Sequence, residues 1–302
     1  MTESIENDIW RLRILPTLGA SPIALEYRVG DAWHAVMRPT PAAALTGDSS
    51  SPFSSYTLAP YSNRIRDGKF SFQEREYTVR ANTPKGEFIH GDVRNRAFQI
   101  KRPSASSLEC AFDSRDVRDA NFPFPYTLLV TYALEGDALL TTLTLENVGD
   151  APMPAGFGLH PYFVRHFAGS TTDPTLTFDA TGYYVTDEKT IPRDGARPLS
   201  PALDFSRGKS AYEQPLDTVF NGWNGAATLR WETHRLILHA SDVFTHFVAF
   251  NGAPDATIAL EPITHATDGF NLMARGVSDT GVRVLEAGER LRGTVTIRLE
   301  AV

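Results

Sequence analysis

Two segments of the sequence carry side chains that could transfer protons. The segment GFGLHPYF, residues 156–163, places His160 between glycine residues and a proline followed by two aromatics. The segment ALEPITHATDGFN contains Glu261, which ends an apolar, strand-like run, residues 257–260, and precedes Pro262. A carboxylate is ionised at neutral pH, and a histidine titrates close to it. The two could act as general base and general acid if the fold brought them to one cleft.

Other polar residues stand in similar settings, among turn-forming and aromatic neighbours. The segment APYSNRIRDGKF offers Asn63 and Arg64 before a predicted turn, and FIHGDV offers His90 before a glycine. Each candidate has a structural alternative. A histidine can be buried with its hydrogen bonds satisfied, Arg64 can pair with an acid such as Asp67, and a glutamate can be the first exposed residue of a loop. The residues alone leave these alternatives open.

The elements that must position these side chains are predicted to be β-strands. The C-terminal segment TVTIRLEAV alternates, with Val295, Ile297 and Leu299 on one face and polar residues on the other, which is the period of a half-buried strand. Similar runs include KFSFQEREYTV and AATLRWETHRLILHA. Helical periodicity is scarce, and DGFNLMARG is the best candidate for a short helix. Many short strands predict an all-β protein, a single β-sandwich domain over residues 1–302.

Turn signals separate the predicted strands. Gly- and Asp-containing dipeptides lie at residues 30–31, 67–68 and 136–137, each a hairpin-type signal. Trp223, in FNGWNG, is a candidate platform for the apolar face of a sugar, although aromatic residues in a sandwich are usually part of the core.

Composition limits the class of function. The chain is 42% hydrophobic and 22% charged with a net charge of −7, and its interspersed charges give no basic stripe for nucleic acid or a membrane surface. The start, MTESIENDIWRLRIL, has acids where a secretory signal needs a basic end, so we expect a cytoplasmic protein. The single cysteine, Cys110, excludes an internal disulfide and a multi-cysteine metal cluster. The histidine spacings match no metal motif, so we predict no metal.

Several segments, taken in order, resemble those of the aldose 1-epimerase (mutarotase) family. The resemblance spans most of the chain and is most specific in GLHPYF, followed about a hundred residues later by LEP. The matching segments are PYSNRI and DGKF from Pro60, HG at His90, FPFPY at residues 122–126, GFGLHPYF, PLDTVF at residues 215–220, LEPITHATDGFN and the closing VLEAGERL.

The resemblance implies a large antiparallel β-sandwich of the galactose mutarotase-like type with an open carbohydrate-binding cleft. It also implies an isomerase that interconverts the α and β anomers of a free aldose. It implies that Glu261 is the general base and His160 the general acid. It also implies that Arg64, His90 and Asp217 contact sugar hydroxyls. The base would remove the C1 hydroxyl proton while the acid protonates the ring oxygen. The opened sugar would then rotate about C1–C2 and close. This chemistry needs no cofactor, and the expected partner is a monosaccharide bound by a monomer or homodimer.

The resemblance also predicts the geometry of the site. The five residues should converge on one cleft, with His160 and Glu261 flanking the sugar ring and not directly bonded. The charge of Glu261 should then hold the pKa of His160 above its ordinary value.

Two alternatives concern the substrate and the activity. The chain departs from galactose-type members, because DVRNRAF follows HG and Ile263 or Thr264 stands where a glutamine is common. One alternative is a hexose-6-phosphate 1-epimerase on the same fold, in which Lys85, Arg94 and Arg96 would hold the phosphate. The other is a non-catalytic carbohydrate-binding or sensor protein, since a fold alone does not establish activity.

Overall fold

The structure is a computed structural model that describes residues 1–101, 104–253 and 256–302. Within this part of the chain it has 25 strands and one α-helix. The strands of the first half are β1 (Glu3–Glu6), β2 (Trp10–Leu15), β3 (Ser21–Val29), β4 (Ala32–Ala35), β5 (Thr57–Leu58), β6 (Lys69–Phe72), β7 (Arg75–Thr78), β8 (Gln99–Ile100), β9 (Ser107–Asp113), β10 (Tyr126–Glu135), β11 (Ala138–Asn147) and β12 (Met153–Ala155).

The second half contains the helix α1 and the remaining strands. Those strands are β13 (Gly158–Leu159), β14 (Tyr162–Phe163), β15 (Thr175–Phe178), β16 (Gly182–Tyr183), β17 (Arg197–Pro198), β18 (Lys209–Ser210), β19 (Asp217–Asn221), β20 (Ala226–Arg230), β21 (His234–Ala240), β22 (His246–Phe250), β23 (Ile258–Ile263), β24 (Arg283–Leu285) and β25 (Arg290–Ala301). The helix α1 is Gly269–Ala274, and the 3₁₀ turns are Ala42–Thr46, Arg66–Gly68, Val93–Asn95 and Ser114–Asp116.

Two large antiparallel sheets dominate the fold. One has nine strands in the order β18-β15-β20-β21-β25-β11-β10-β9-β8. The other has the order β17-β16-β19-β22-β23-β13-β5, and its eighth strand, β14, also pairs with β23. A four-stranded sheet, β1 to β4, and two two-stranded sheets, β6-β7 and β12-β24, complete the described structure. The predicted all-β class is confirmed.

The core lies between the two large sheets. The ring of Phe178 on β15 lies 4.8 Å from that of Phe220 on β19 and 5.0 Å from that of Phe247 on β22, measured between centroids. Strands of the nine-stranded sheet alternate buried and partly exposed residues, as in β10. Because successive side chains point to opposite faces, such strands bury one face and leave the other in contact with solvent. The two sheets therefore form a sandwich, and Val295, Ile297 and Leu299 face its core as predicted.

The turns match the sequence prediction in two places of three. Residues 30–31 join β3 to β4 and residues 136–137 join β10 to β11 as two-residue hairpin turns, and DGFNLMARG does contain the helix. Residues 67–68 instead lie in a 3₁₀ turn before β6, and the hairpin between β6 and β7 turns at Gln73 and Glu74. The runs KFSFQEREYTV and AATLRWETHRLILHA each form two strands rather than one, because polar pairs within each run supply a turn.

Within the described residues, no helix is long and apolar enough to cross a membrane.

Candidate active site

A cavity of about 500 Å³ opens on the eight-stranded sheet. All five residues predicted for the site line it, namely Arg64, His90, His160, Asp217 and Glu261. The strands β19, β22 and β23 are neighbours in that sheet and contribute part of the wall. The predicted convergence on one cleft is confirmed. The chemical roles of the residues remain predictions.

The register of the sheet places His160 next to Glu261. Two short strands flank His160, and both pair with β23: Gly158 lies opposite Ile263 in one, and Tyr162 lies opposite Ala259 in the other. Continuing this antiparallel register across the gap sets His160 opposite Glu261. Cross-strand neighbours lie close enough for their side chains to touch. Accordingly, Nε2 of His160 is 3.1 Å from Oε1 of Glu261.

This contact corrects two sequence predictions. His160 and Glu261 were expected to lie apart on either side of a sugar ring, whereas they are in direct hydrogen-bond contact. Glu261 was expected where a strand gives way to a loop, whereas it lies inside β23, paired with Val248 of β22. The strand continues through Pro262, which the sequence marks as a break. A proline ends a strand only where its missing N–H is needed for pairing.

Burial sets the protonation of this pair. Both side chains are almost inaccessible to solvent. Burial lowers the pKa of His160 well below its ordinary value of 6.5, and the cations Arg38 and Arg94 lower it further. Burial and the nearby Asp217 raise the pKa of Glu261 well above 4.5, against the opposing charge of Arg64. The predicted raised pKa of His160 is therefore wrong. Burial therefore favours the uncharged state of the pair, a neutral imidazole beside a protonated carboxyl group.

Within the five predicted site residues, three buried polar atoms have no hydrogen-bond partner among the described residues. They are Nδ1 of His160, Oε2 of Glu261 and Nδ1 of His90. Leaving such an atom unpaired away from water costs about 1–3 kcal/mol. Buried unpaired polar atoms that share a cavity are typical of a ligand-binding site, because a ligand can supply the missing partners.

Arg64 is held by an acid other than the one considered from the sequence. Its Nη2 lies 3.2 Å from Oε1 of Glu87, whereas Asp67 pairs with Lys189 at 2.8 Å. The Glu87 carboxylate also accepts a hydrogen bond from the Thr83 hydroxyl. About a quarter of the Arg64 side chain is exposed (23%), so its guanidinium borders the cavity and remains accessible to a ligand.

His90 occupies a tightly constrained loop. Its backbone is left-handed, with φ of 63°, and its N–H donates to the carbonyl of Asn63. The next residue, Gly91, has φ of 71°, and a Cβ there would lie 1.9 Å from the Ala59 carbonyl oxygen. Only glycine fits this approach. Burial lowers the pKa of His90 well below 6.5, and His160 and nearby arginines act in the same direction, so the ring is neutral and has one donor and one acceptor.

Asp217 lies at the rim of the cavity. It is the first residue of β19 and is paired with Phe250 of β22, which also lines the cavity. Asp217 is exposed to solvent. The surrounding protein raises its pKa, which the charge of Arg64 counteracts. Asp217 can therefore accept hydrogen bonds from hydroxyl groups at the mouth of the cavity.

Several cavity residues escaped the sequence analysis. Tyr56 and Tyr162 contact the ring of His160, and Glu87 holds Arg64. The motif HPYF gave a signal for Tyr162, because alternate residues of an extended segment share a face. Tyr56 lies at the end of the serine-rich segment SSSPFSSY, residues 49–56, which carries no pattern typical of a binding site. Trp223 lies outside the cavity, buried and stacked on a core phenylalanine.

Of the basic residues considered for a phosphate, two line the cavity. Lys85 and Arg94 do so, whereas Arg96 forms ion pairs with Asp92 at 2.8 Å and Asp119 at 2.6 Å. No group of three or more His, Cys, Asp or Glu side chains in residues 1–101, 104–253 and 256–302 is arranged to hold a metal ion.

The comparisons with known proteins agree with this fold. Residues 15–298 match the sequence profile of the family described as aldose 1-epimerase. The Escherichia coli K12 protein YphB is 26% identical over 275 residues, covering 88% of this chain and 89% of that protein. A solved structure of a putative aldose 1-epimerase from Escherichia coli K12 has a TM-score of 0.85 at 22% identity, covering 100% of this chain and 99% of the other. Galactose 1-epimerase from Lactobacillus acidophilus has a TM-score of 0.78 at 19% identity, covering 99% and 93%.

The fold and the cleft define a β-sandwich protein of the galactose mutarotase-like type. Because the family profile covers most of its length, the chain belongs to the aldose 1-epimerase family.

Proposed function

We propose that this protein is an aldose 1-epimerase that interconverts the α and β anomers of a free aldose. Glu261 acts as the general base and His160 as the general acid, while Arg64, His90 and Asp217 bind the sugar hydroxyls. The reaction opens a hemiacetal and closes it again, so it needs proton transfers and no external reactant.

The observation that carries the proposal is the contact of His160 with Glu261 in the cavity. Across this 3.1 Å contact the carboxyl proton can move to the imidazole, which creates a base and an acid together. The carboxylate then takes the C1 hydroxyl proton while the imidazolium gives its proton to the ring oxygen. Closure on the other face of the carbonyl reverses both transfers and restores the pair. Each positioned group of this kind contributes about 10²- to 10⁴-fold to a rate.

The remaining cavity residues suit the recognition of hydroxyl groups. Arg64 presents a fork of donors, the neutral His90 ring can donate once and accept once, and the Asp217 carboxylate can accept two hydroxyl protons. Together these groups distinguish equatorial from axial hydroxyls, which supports a role in selecting the sugar.

The test is a panel of freshly dissolved anomers followed by polarimetry or NMR. The panel contains glucose, galactose, arabinose, xylose, fucose and hexose 6-phosphates. We expect acceleration of at least one neutral aldose above the spontaneous rate, lost in Glu261→Gln. Binding of sugars without acceleration of any of them would instead support a carbohydrate-binding or sensor protein.

A hexose-6-phosphate 1-epimerase is the second candidate, because Lys85 and Arg94 line the cavity. Arg96 is engaged in ion pairs with Asp92 and Asp119, which weakens the case for this second candidate. Acceleration of the phosphates alone, abolished by Arg94→Met but not by Arg96→Met, would favour this activity over the neutral-sugar reaction.

A further inference from the structure

Aromatic rings surround the imidazole of His160. The Tyr162 ring is stacked on it, with centroids 4.6 Å apart and planes at 24°. The Tyr56 ring lies at the same centroid distance with planes at 33°, and the His90 ring meets it edge-on at 5.2 Å. The two tyrosine rings are 6.4 Å apart, so they form two walls of a corner in which the imidazole sits.

The Tyr162 ring is itself fixed from its other face. Cζ of Arg38 lies 3.4 Å from the Tyr162 ring centroid. One face of a ring cannot hold a guanidinium and an imidazole at these separations, so the two groups occupy opposite faces. Arg38 is buried, and its Nε donates to the Phe53 carbonyl at 2.7 Å. A cation held over a tyrosine face is attracted to it, which clamps the Tyr162 ring.

In residues 1–101, 104–253 and 256–302, no side chain or backbone group pairs with Nδ1 of His160 to orient the imidazole from behind. A histidine that works through one ring nitrogen is usually held by a hydrogen bond from the other. Here Nδ1 of His160 is buried without a partner among the described residues, and Nε2 is the atom directed at Glu261. Apart from the contact of Nε2 with Glu261, the orientation of the ring therefore comes from packing against its aromatic neighbours.

The sheet register places Tyr162 for this purpose. Tyr162 follows His160 by two residues, so both side chains lie on one face of the extended segment. It pairs with Ala259, two residues before Glu261, and the small alanine leaves room beside the carboxylate for a large ring. The Tyr162 hydroxyl lies 3.5 Å from Nε2 of His160 and 3.5 Å from the Tyr56 hydroxyl, and both distances are long for hydrogen bonds.

We propose that Tyr162 is a positioning residue, whose ring, clamped by Arg38, holds the His160 imidazole in the orientation that directs Nε2 at Glu261. Its ring face performs this role, and its hydroxyl group is dispensable. The kinetic consequence rests on the proposed epimerase function, whereas the structural consequence does not.

The variants Tyr162→Phe and Tyr162→Leu separate the ring from the hydroxyl group. Tyr184→Leu is the matched control, because Tyr184 is a buried tyrosine stacked on His246, with its hydroxyl 3.1 Å from that histidine, outside the cavity. It reports the general effect of losing a buried tyrosine.

The first readout is structural and independent of activity. Crystal structures, or NMR of the His160 ring, should show the 3.1 Å contact with Glu261 kept in Tyr162→Phe and Tyr184→Leu. In Tyr162→Leu the ring should leave this contact or populate more than one orientation. An unmoved His160 ring in Tyr162→Leu would overturn the proposal.

The second readout is kinetic, on the sugar that the wild type converts fastest. Tyr162→Leu should lose about 10- to 100-fold in kcat, with KM changed by less than about threefold, since a small misplacement of a catalytic group costs this much. Tyr162→Phe should keep most of the activity. Equal losses in the two variants would assign the role to the hydroxyl group and contradict the proposal. If the wild type converts no sugar but the ring moves as predicted, the proposed function fails and the positioning role stands.

Discussion

Nε2 of His160 and Oε1 of Glu261 lie 3.1 Å apart. His160 lies in the gap between the short strands β13 and β14, and Glu261 lies opposite it on β23, with which both strands pair. Two groups at this distance titrate as a unit. In the proposed reaction the active state of the pair carries one transferable proton besides the N–H of the neutral imidazole, whichever residue holds it at rest.

The first prediction is the pH dependence of the rate. At low pH the pair gains a second proton on the imidazole, and burial opposes this, since it lowers the pKa of His160. The ascending limb of kcat should therefore lie below pH 6.5. At high pH the pair loses its shared proton, and the raised pKa of Glu261 places the descending limb well above pH 4.5. A pH–rate profile checks this. An ascending limb at or above pH 6.5 would show that burial does not keep the imidazole neutral.

The second prediction concerns the partner of Arg64. Glu87→Gln removes the carboxylate that holds the guanidinium at 3.2 Å, so we expect KM to rise about three- to tenfold while kcat stays close to that of the wild type. Arg64→Ala should raise KM further. Glu76→Gln is the control, because Glu76 pairs with Lys69 on an exposed hairpin. Steady-state kinetics in which Glu87→Gln and Glu76→Gln behave alike would remove Glu87 from the site.

The third prediction is a loss of stability in acid. Burial lowers the pKa of His246 to about 3 and that of His265 to about 4. Below pH 6.5 these histidines take up protons in the unfolded chain before they do so in the folded one. Each therefore removes up to about 1.4 kcal/mol of unfolding free energy per pH unit, from 6.5 down to its folded pKa.

Urea unfolding at several pH values checks this slope. His246→Gln should flatten it, whereas His239→Gln, at an exposed strand position, should leave it unchanged. An unchanged slope in His246→Gln would mean that this histidine does not contribute to the acid sensitivity.

The fourth prediction concerns the loop that carries His90. Gly91→Ala would bring a Cβ to 1.9 Å from a backbone oxygen, whereas Gly86, also left-handed with φ of 77°, has nothing within 4 Å. Gly86→Ala should cost about 1–2 kcal/mol of unfolding free energy, the strain of a left-handed alanine. Gly91→Ala should cost more than about 3 kcal/mol and should weaken sugar binding. Equal costs by urea unfolding would contradict the close approach.

Alternation along the chain was sufficient to predict most strands and the all-β class, because it is a local property. The resemblance to the aldose 1-epimerase family supplied the five predicted residues that the cavity brings together. Neither was sufficient for the contact of His160 with Glu261. That contact follows from the register of β13 and β14 on β23, which pairs residues about a hundred positions apart in the chain. The predicted direction of the pKa shift of His160 was wrong for the same reason. The charge of one carboxylate was anticipated, whereas the burial and the two arginines are properties of the folded cavity.

The most direct measurement of the central claim compares the wild type with Glu261→Gln on the aldose that the wild type converts fastest. Anomer interconversion is followed by NMR, sugar binding is measured in parallel, and Glu188→Gln serves as a control outside the cavity. We expect Glu261→Gln to lose at least about 100-fold in rate while sugar binding changes little and Glu188→Gln behaves like the wild type. A Glu261→Gln variant that interconverts the anomers at close to the wild-type rate would contradict the assignment of Glu261 as the base.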